Sequence, residues 1–347
     1  MIESQGLAGP GAIGTERLRV EDHDLLRGRA RFTGDVRVSG AVHMAVVRSP
    51  VAHARLGGID TELAEASPGV LAVLTSSDLE ETLGHLPRIG TRVSFDEAVL
   101  PYLQPILAQE RVRYVGEPIA VVIAEDRYMA EDAAELVMVD LDTLSVVMDA
   151  PTATSGQALF PEGNVVATLE AGFGDAATAF DRADVVVSSE ISVGRHTGVP
   201  METRGIVVEP EATGRLRIHG ATKVPHWNLR TTAELLGLDV GMLIGVENAV
   251  GGGFGVRGEL YPEDVLAVWA AHLLGRPVAW IEDRREHLLA TNHSRQQFHR
   301  VAIAADGDGR ITGLRSEFWV DIGGYVRTHG IRVPDLTLSM LPGPYDI

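Results

Sequence analysis

The chain has 347 residues, enough for two domains of ordinary size with ample core. A formal charge of −18 excludes the basic stripe of a nucleic-acid binder, and 45% apolar against 22% charged residues excludes a disordered chain. With no cysteine, it cannot form disulfides, thiolate zinc sites, a cysteine nucleophile or a cysteine-ligated iron–sulfur cluster.

The start, Met1-Ile2-Glu3-Ser4-Gln5, lacks a basic segment followed by an apolar one, and no apolar run approaches a membrane span. A cytoplasmic protein is expected. Residues 1–16, rich in Gly and small side chains, read as a flexible arm. Strands follow over 41–48, 56–59 and 70–75, the last after the turn signal Ser67-Pro68-Gly69. Residues 84–110 carry Pro87, Pro101 and Pro105 with weak periodicity and read as an extended excursion. A strand over 114–124, a helix over 126–136 and a strand over 137–141 then form one unit. Met129, Ala133 and Leu136 recur at helical spacing. The expected domains are 17–149, a linker over 150–164, and 165–347.

Beyond the linker the pattern is strand-rich, over 183–193, 205–209 and 216–222, with a turn at Glu211-Ala212-Thr213-Gly214. A helix over 227–236 stops at Gly237, and a strand over 242–246 leads into a glycine cluster. Pro262 opens a helix to Leu274, with Glu263 and Asp264 at its positive end and Gly275 with Pro277 past its close. A strand over 278–281, a helix over 283–290 and a hairpin turning at Asp306-Gly307-Asp308-Gly309 follow. The closing Leu341-Pro342-Gly343-Pro344-Tyr345-Asp346-Ile347 reads as a loop leading elsewhere, so the second domain is expected to be incomplete.

The cluster Val250-Gly251-Gly252-Gly253-Phe254-Gly255-Val256-Arg257-Gly258-Glu259 is the most informative stretch. Four glycines in five positions raise the entropy lost on folding, so they serve a close backbone approach or a positive φ. Gly253-Phe254-Gly255-Val256-Arg257-Gly258 is a literal G-x-G-x-x-G after a strand, with Glu282 ending the next strand. A dinucleotide would need the helix to begin inside the motif, yet Pro262 starts it several residues later. A nucleotide site, a purely structural turn and a wall against another bulky cofactor all remain open, the last fitting best.

These residues resemble a known family. Val250 to Gly255 followed by Pro262-Glu263-Asp264 resembles the glycine motif of the molybdopterin-binding subunit of molybdenum hydroxylases. That family includes xanthine dehydrogenases, aldehyde oxidases and carbon monoxide dehydrogenases. Glu21-Asp22-His23, Leu25-Leu26-Arg27-Gly28 and Arg48-Ser49-Pro50-Val51-Ala52-His53-Ala54 match its opening, and Arg113-Tyr114-Val115-Gly116-Glu117-Pro118 its α/β hammerhead domain. His196, Pro200-Met201-Glu202, Arg204-Gly205, Leu274-Gly275-Arg276-Pro277-Val278 and Gly343-Pro344-Tyr345 continue the match. The resemblance implies an α+β chain, a small α/β hammerhead domain followed by part of a mixed α/β molybdopterin-binding domain.

It further implies a molybdenum–molybdopterin cofactor beside Gly252, Gly253, Phe254 and Gly255, where glycine backbone can donate to metal-bound oxygens. The implied reaction oxidises an aldehyde, N-heterocycle or related carbon with water as oxygen source. Electrons would leave through iron–sulfur clusters to FAD, both in partner subunits. Lys223 stands where the family often has a Gln that donates to a molybdenum oxo ligand, and is a candidate cofactor contact. The second cofactor loop and the catalytic glutamate base are expected beyond Ile347, in a C-terminal half that is a further partner. No catalytic residue and no direct metal ligand is therefore assigned to this chain. Glu202 and Glu259 do not match the base.

The alternatives are a non-catalytic scaffold or relic of the family, and a nicotinamide-dependent dehydrogenase. His287, His293 and His299 are too irregularly spaced for a metal site. Ser188-Ser189 and Ser294 lack a nucleophile elbow. Asp283-Arg284-Arg285-Glu286 reads as a solvated helix face.

Overall fold

The computed structural model describes residues 16, 18–92, 97–345 and 347. Apart from Glu16, the expected arm over 1–16 lies outside the described residues. In chain order the strands are β1 (Val42–Arg48), β2 (Ala54–Asp60), β3 (Val70–Thr75), β4 (Arg111–Val112), β5 (Pro118–Ala124) and β6 (Met138–Thr143). There follow β7 (Val185–Val193), β8 (Gly205–Pro210), β9 (Leu216–Gly220), β10 (Leu243–Glu247), β11 (Val278–Ile281), β12 (Gln296–Ala305) and β13 (Ile311–Asp321).

A mixed seven-stranded sheet runs β10-β9-β8-β11-β1-β5-β3. Between β1 and the edge strand β3 lies β5, Pro-Ile-Ala-Val-Val-Ile-Ala, with all seven residues buried, as an unbroken apolar run requires of a strand covered on both faces. β1 pairs antiparallel with β5 and parallel with β11, through Val42 opposite Val278 and His43 opposite Ala279. That pairing stitches the first and last thirds of the chain into one sheet. Beneath it, Val42, Met44, Val121, Ile206, Val208, Leu266 and Trp280 share one apolar core. The helix Pro262–Leu274 forms as its signals require: the Tyr261 N–H donates to Asp264 at 3.1 Å, and Gly275 closes it at φ +61°.

Two local expectations gain detail in the tertiary setting. Along the extended excursion read over residues 84–110, Ile89, Tyr102, Ile106 and Leu107 are buried. Scattered backbone bonds, such as Ile89 N–H to Gln104 at 2.9 Å, satisfy this segment without regular periodicity. In the helix Arg127–Ala134, Ala130 and Ala133 face inward, while Met129 is 37% exposed and Leu136, just past the helix, 41%. Small residues let this helix lie close on β1 and β5. A second sheet, β13-β12-β7, pairs Phe298 with Trp319 and leaves every residue of β7 exposed. A third, β4-β2-β6, completes the hammerhead region.

Residues 150–164 carry Phe160, whose ring lies 4.4 Å beneath the Arg113 guanidinium and 4.9 Å from Tyr102. Next to it, buried Glu117 accepts from the Arg113 N–H and the Tyr325 hydroxyl, each at 2.6 Å. Burial pushes this carboxyl up to about 7 despite both donors. A carboxyl that titrates higher folded than unfolded gives stability that is full below its ordinary value of 4.5 and is lost as pH rises through about 7. Glu117→Gln is expected to remove a decline of about 3 kcal/mol between about pH 5 and pH 8. Urea denaturation across that range measures it; an unchanged slope in the variant would assign the decline elsewhere.

Candidate functional site

β10 delivers the chain into the glycine loop, which a single guanidinium holds in place. Arg257, buried, donates to the carbonyls of Gly252 (2.9 Å), Ala221 (3.3 Å), Glu202 (3.1 Å) and Thr203 (3.0 Å), and to the Glu202 carboxylate (2.8 Å). That carboxylate also accepts from the N–H groups of Gly251 (2.8 Å) and Thr33 (3.2 Å). Glu202 is thus a structural anchor of the loop, not a free base. Gly251 is glycine for the same reason: a Cβ there would lie 2.3 Å from that of Glu202.

The other glycines have a different cause. Gly252 takes φ +106°, Phe254 +47° and Gly255 +90°, and Phe254 is the one non-glycine with positive φ among the described residues. Such a residue stores about 1 kcal/mol of strain or more. A Cβ added at Gly253 or Gly255 would meet nothing within 4 Å. Among the described residues the N–H groups of Gly252, Gly253, Phe254 and Gly255 have no acceptor. Four successive unpaired donors on backbone with several positive φ values are a chemistry suited to anionic oxygens. The Phe254 ring beside them is 77% exposed. From behind, its Cβ abuts Gly198, where an added Cβ would approach to 2.8 Å.

Lys223 joins this constellation. Its N–H donates to the Arg257 carbonyl at 2.9 Å, and its stem passes beside Gly258. Its side chain is exposed, and its ammonium has no acceptor among the described residues. Gly252, Gly253, Phe254 and Gly255 are consecutive in the loop, and Lys223 is tied to its continuation at Arg257 and Gly258. A cavity of about 80 Å³ lies between β8, β9, β10 and the helices Pro225–Leu236 and Pro262–Leu274. Ligand pockets usually measure about 300–1,000 Å³, so this cavity does not hold a bulky cofactor.

Under the loop lies a buried ion network that the sequence did not announce. Arg204 donates to Glu282 at 2.5 Å and Glu263 at 3.1 Å, and stacks 3.9 Å over the Tyr261 ring. Arg48 pairs with Glu263 at 2.8 Å and Glu286 at 3.0 Å. His287, fully buried, lies within hydrogen-bonding distance of Glu282 at 2.9 Å and of the Gly198 carbonyl at 3.1 Å, linking the network to the support of Phe254. Burial disfavours the Glu263 charge, but Arg204 and Arg48 outweigh it and hold the carboxyl down to about 2. Residues 283–286 are accordingly more than a solvated face. Asp283 caps the helix Arg284–Ala290, Arg284 donates to the Pro200 carbonyl at 2.7 Å, and Glu286 faces Arg48.

The remaining candidates separate. Glu259 is buried against His329 at 3.2 Å; burial opposes its charge, yet His329 and Arg327 hold it down to about 2. His293 contacts the Leu288 carbonyl, and His299 stacks on Phe318. Among the described residues no group of three or more His, Cys, Asp or Glu is placed to hold a metal ion. Ser294 contacts His196 Nδ1 at 3.0 Å on the surface. The dinucleotide reading fails on geometry. The loop continues through a 3₁₀ turn at Val256–Gly258 before Pro262 opens the helix, and Glu282 is consumed by Arg204 and His287. Also among the described residues, no helix is long and apolar enough to cross a membrane.

Comparison with known proteins agrees with the motifs. The family model for the molybdopterin cofactor-binding domain matches residues 159–347. That for the aldehyde oxidase and xanthine dehydrogenase a/b hammerhead domain matches residues 27–145. The chain is 42% identical to the 6-hydroxypseudooxynicotine dehydrogenase complex subunit gamma of Paenarthrobacter nicotinovorans, covering 96% of this chain and 42% of that one. It is 33% identical to the carbon monoxide dehydrogenase large chain of Hydrogenophaga pseudoflava, covering 94% and 42%. The crystal structure of quinoline 2-oxidoreductase from Pseudomonas putida 86 superimposes with TM-score 0.79 at 37% identity, over 88% of this chain and 39% of that one. The chain thus spans about two fifths of the length of the relatives it matches.

Proposed function

The chain belongs to the aldehyde oxidase and xanthine dehydrogenase family, and on that premise we propose that it supplies the glycine wall of a molybdopterin centre. The observation that carries this reading is the row of unpaired N–H groups from Gly252 to Gly255, with open space at the Cβ positions of Gly253 and Gly255. Backbone donors without intervening side chains suit the oxygen-rich, anionic surroundings of such a centre. When bound, the cofactor supplies two-electron oxidation of an aldehyde, N-heterocycle or related carbon, with water as oxygen source. The chain's own residues orient and shield it. Gly252 to Gly255 donate from the backbone, the exposed Phe254 ring excludes water on one side, and Lys223 adds a positive charge at the rim. Arg257 and Glu202 keep these groups in register.

Glu202 is held by Gly251 and Arg257, and Glu259 is buried against His329, so the reading assigns neither as the base that activates water. The reading therefore places the base and the remaining pterin contacts in the part of the relatives' length that this chain does not span. It assigns electron transfer to an iron–sulfur subunit and an FAD subunit.

Gly253→Ala tests it. The position lies outside the left-handed region and its Cβ would meet nothing, so unfolding free energy is expected to change by no more than about 0.5 kcal/mol. Molybdenum content of the isolated assembly, measured by metal analysis, is expected to fall about tenfold. Retention of full molybdenum content in a folded variant would sink the proposal.

A further inference from the structure

A second cluster of donors lies next to the continuation of the glycine loop, at Val256–Tyr261. Four segments meet there: 194–198, 256–261, 291–295 and 323–330. The Ser294 N–H donates to the His196 carbonyl at 2.7 Å, and the Asn292 N–H to the Tyr261 hydroxyl at 3.3 Å. That hydroxyl in turn donates to the Val256 carbonyl at 3.0 Å. These bonds fix the loops that carry Arg195, Arg295 and Arg327.

The three guanidiniums are not equivalent. Arg195 is paired with Asp321 at 2.9 Å. Arg327 uses its terminal nitrogens on Gln104 and the Leu260 carbonyl, leaving its buried Nε without an acceptor. Arg295 is half-buried and has neither a hydrogen-bond nor an ion-pair partner among the described residues. The buried Asn292 Nδ2 also lacks an acceptor. Glu259 is the one carboxylate that faces Arg295; it is engaged by His329, with its second oxygen unpaired. Three guanidiniums thus meet two carboxylates, and the uncompensated one is already partly stripped of water. Burial draws the Arg295 guanidinium below its ordinary range, Glu259 opposes this, and Arg195 and Arg327 push it further down. Desolvated charge without a partner is unfavourable, and a guanidinium meets that need best with a bidentate oxyanion.

We infer that Arg295, with Asn292 and Arg327, forms a binding site for a small oxyanion, a phosphate monoester or a carboxylate. The inference is independent of whether the glycine loop holds molybdopterin. Its chemistry is one of bidentate and single N–H donation to anionic oxygens.

Isothermal titration calorimetry of the full chain, as isolated, with inorganic phosphate and separately with acetate tests it. Ionic strength is held constant with chloride. Saturable binding of at least one anion is expected, and tighter binding of phosphate or of acetate identifies which source the site serves. Arg295→Gln is expected to weaken it at least tenfold, and Arg295→Lys, which keeps the charge but loses the fork, by less. An Arg295 that merely relaxes onto Glu259 predicts no saturable heat from either anion in the unmodified chain. That result, or equal binding in a folded Arg295→Gln variant, overturns the inference.

Discussion

Replacing Arg257 by alanine is expected to release the glycine loop and to destabilise the protein by about 3–5 kcal/mol. One guanidinium there satisfies four carbonyls and the Glu202 carboxylate in a buried setting. Truncation leaves all five acceptors short of a donor, and unpaired buried acceptors cost far more than a made bond gains. Arg257→Lys should recover little, since an ammonium cannot span carbonyls that diverge around a planar fork. Guanidinium denaturation measures the loss, and metal analysis of the isolated assembly should show molybdenum falling with it. A loss below about 1 kcal/mol would mean that Glu202 alone anchors the loop.

Arg204→Met is the second large effect, with an expected loss of about 3–5 kcal/mol at neutral pH. Methionine matches the volume but leaves Glu282 and Glu263 as buried carboxylates, with Arg48 and His287 as the nearby compensation. It also removes the cation stacked on Tyr261. The sign of the pH dependence follows from Glu263. A carboxyl held down to about 2 contributes stability that is present above its ordinary value of 4.5 and is lost as pH falls towards 2. In the variant that depression is relaxed and the carboxyls take protons more readily. The deficit relative to the unmodified protein should therefore be largest above about pH 5 and shrink on acidification to about pH 3. A deficit that stays constant over that range would point to lost packing instead of uncompensated charge.

Much of the fold was legible because its signals are local. Pro262, Glu263, Asp264 and Gly275 mark a helix by where a missing N–H, two negative charges and a left-handed residue are tolerated. The fully apolar Pro118–Ala124 announces a strand covered on both faces. The glycine cluster likewise announced a close approach, and Pro262 alone weakened the nucleotide reading before any coordinates. What stayed hidden depends on residues far apart in sequence. Nothing local pairs Val42 with Val278, or aims Arg257 at carbonyls in three different segments. The burial along residues 84–110 stayed hidden because burial without periodicity leaves no repeating pattern to read. Glu202 does not match the base in sequence, and its role as an anchor appears only where it meets Gly251, Thr33 and Arg257.

By itself the sequence determined the element types, the family and the position of the glycine loop, since helix caps, strand runs and glycine spacing are properties of neighbouring residues. Tertiary structure alone decided which glycines are fixed by packing and which face open space. Gly251 yields to Glu202, whereas Gly253 and Gly255 face open space. The physical reason is that a missing side chain is meaningful only against what would have filled its place, and that neighbour comes from a distant part of the chain.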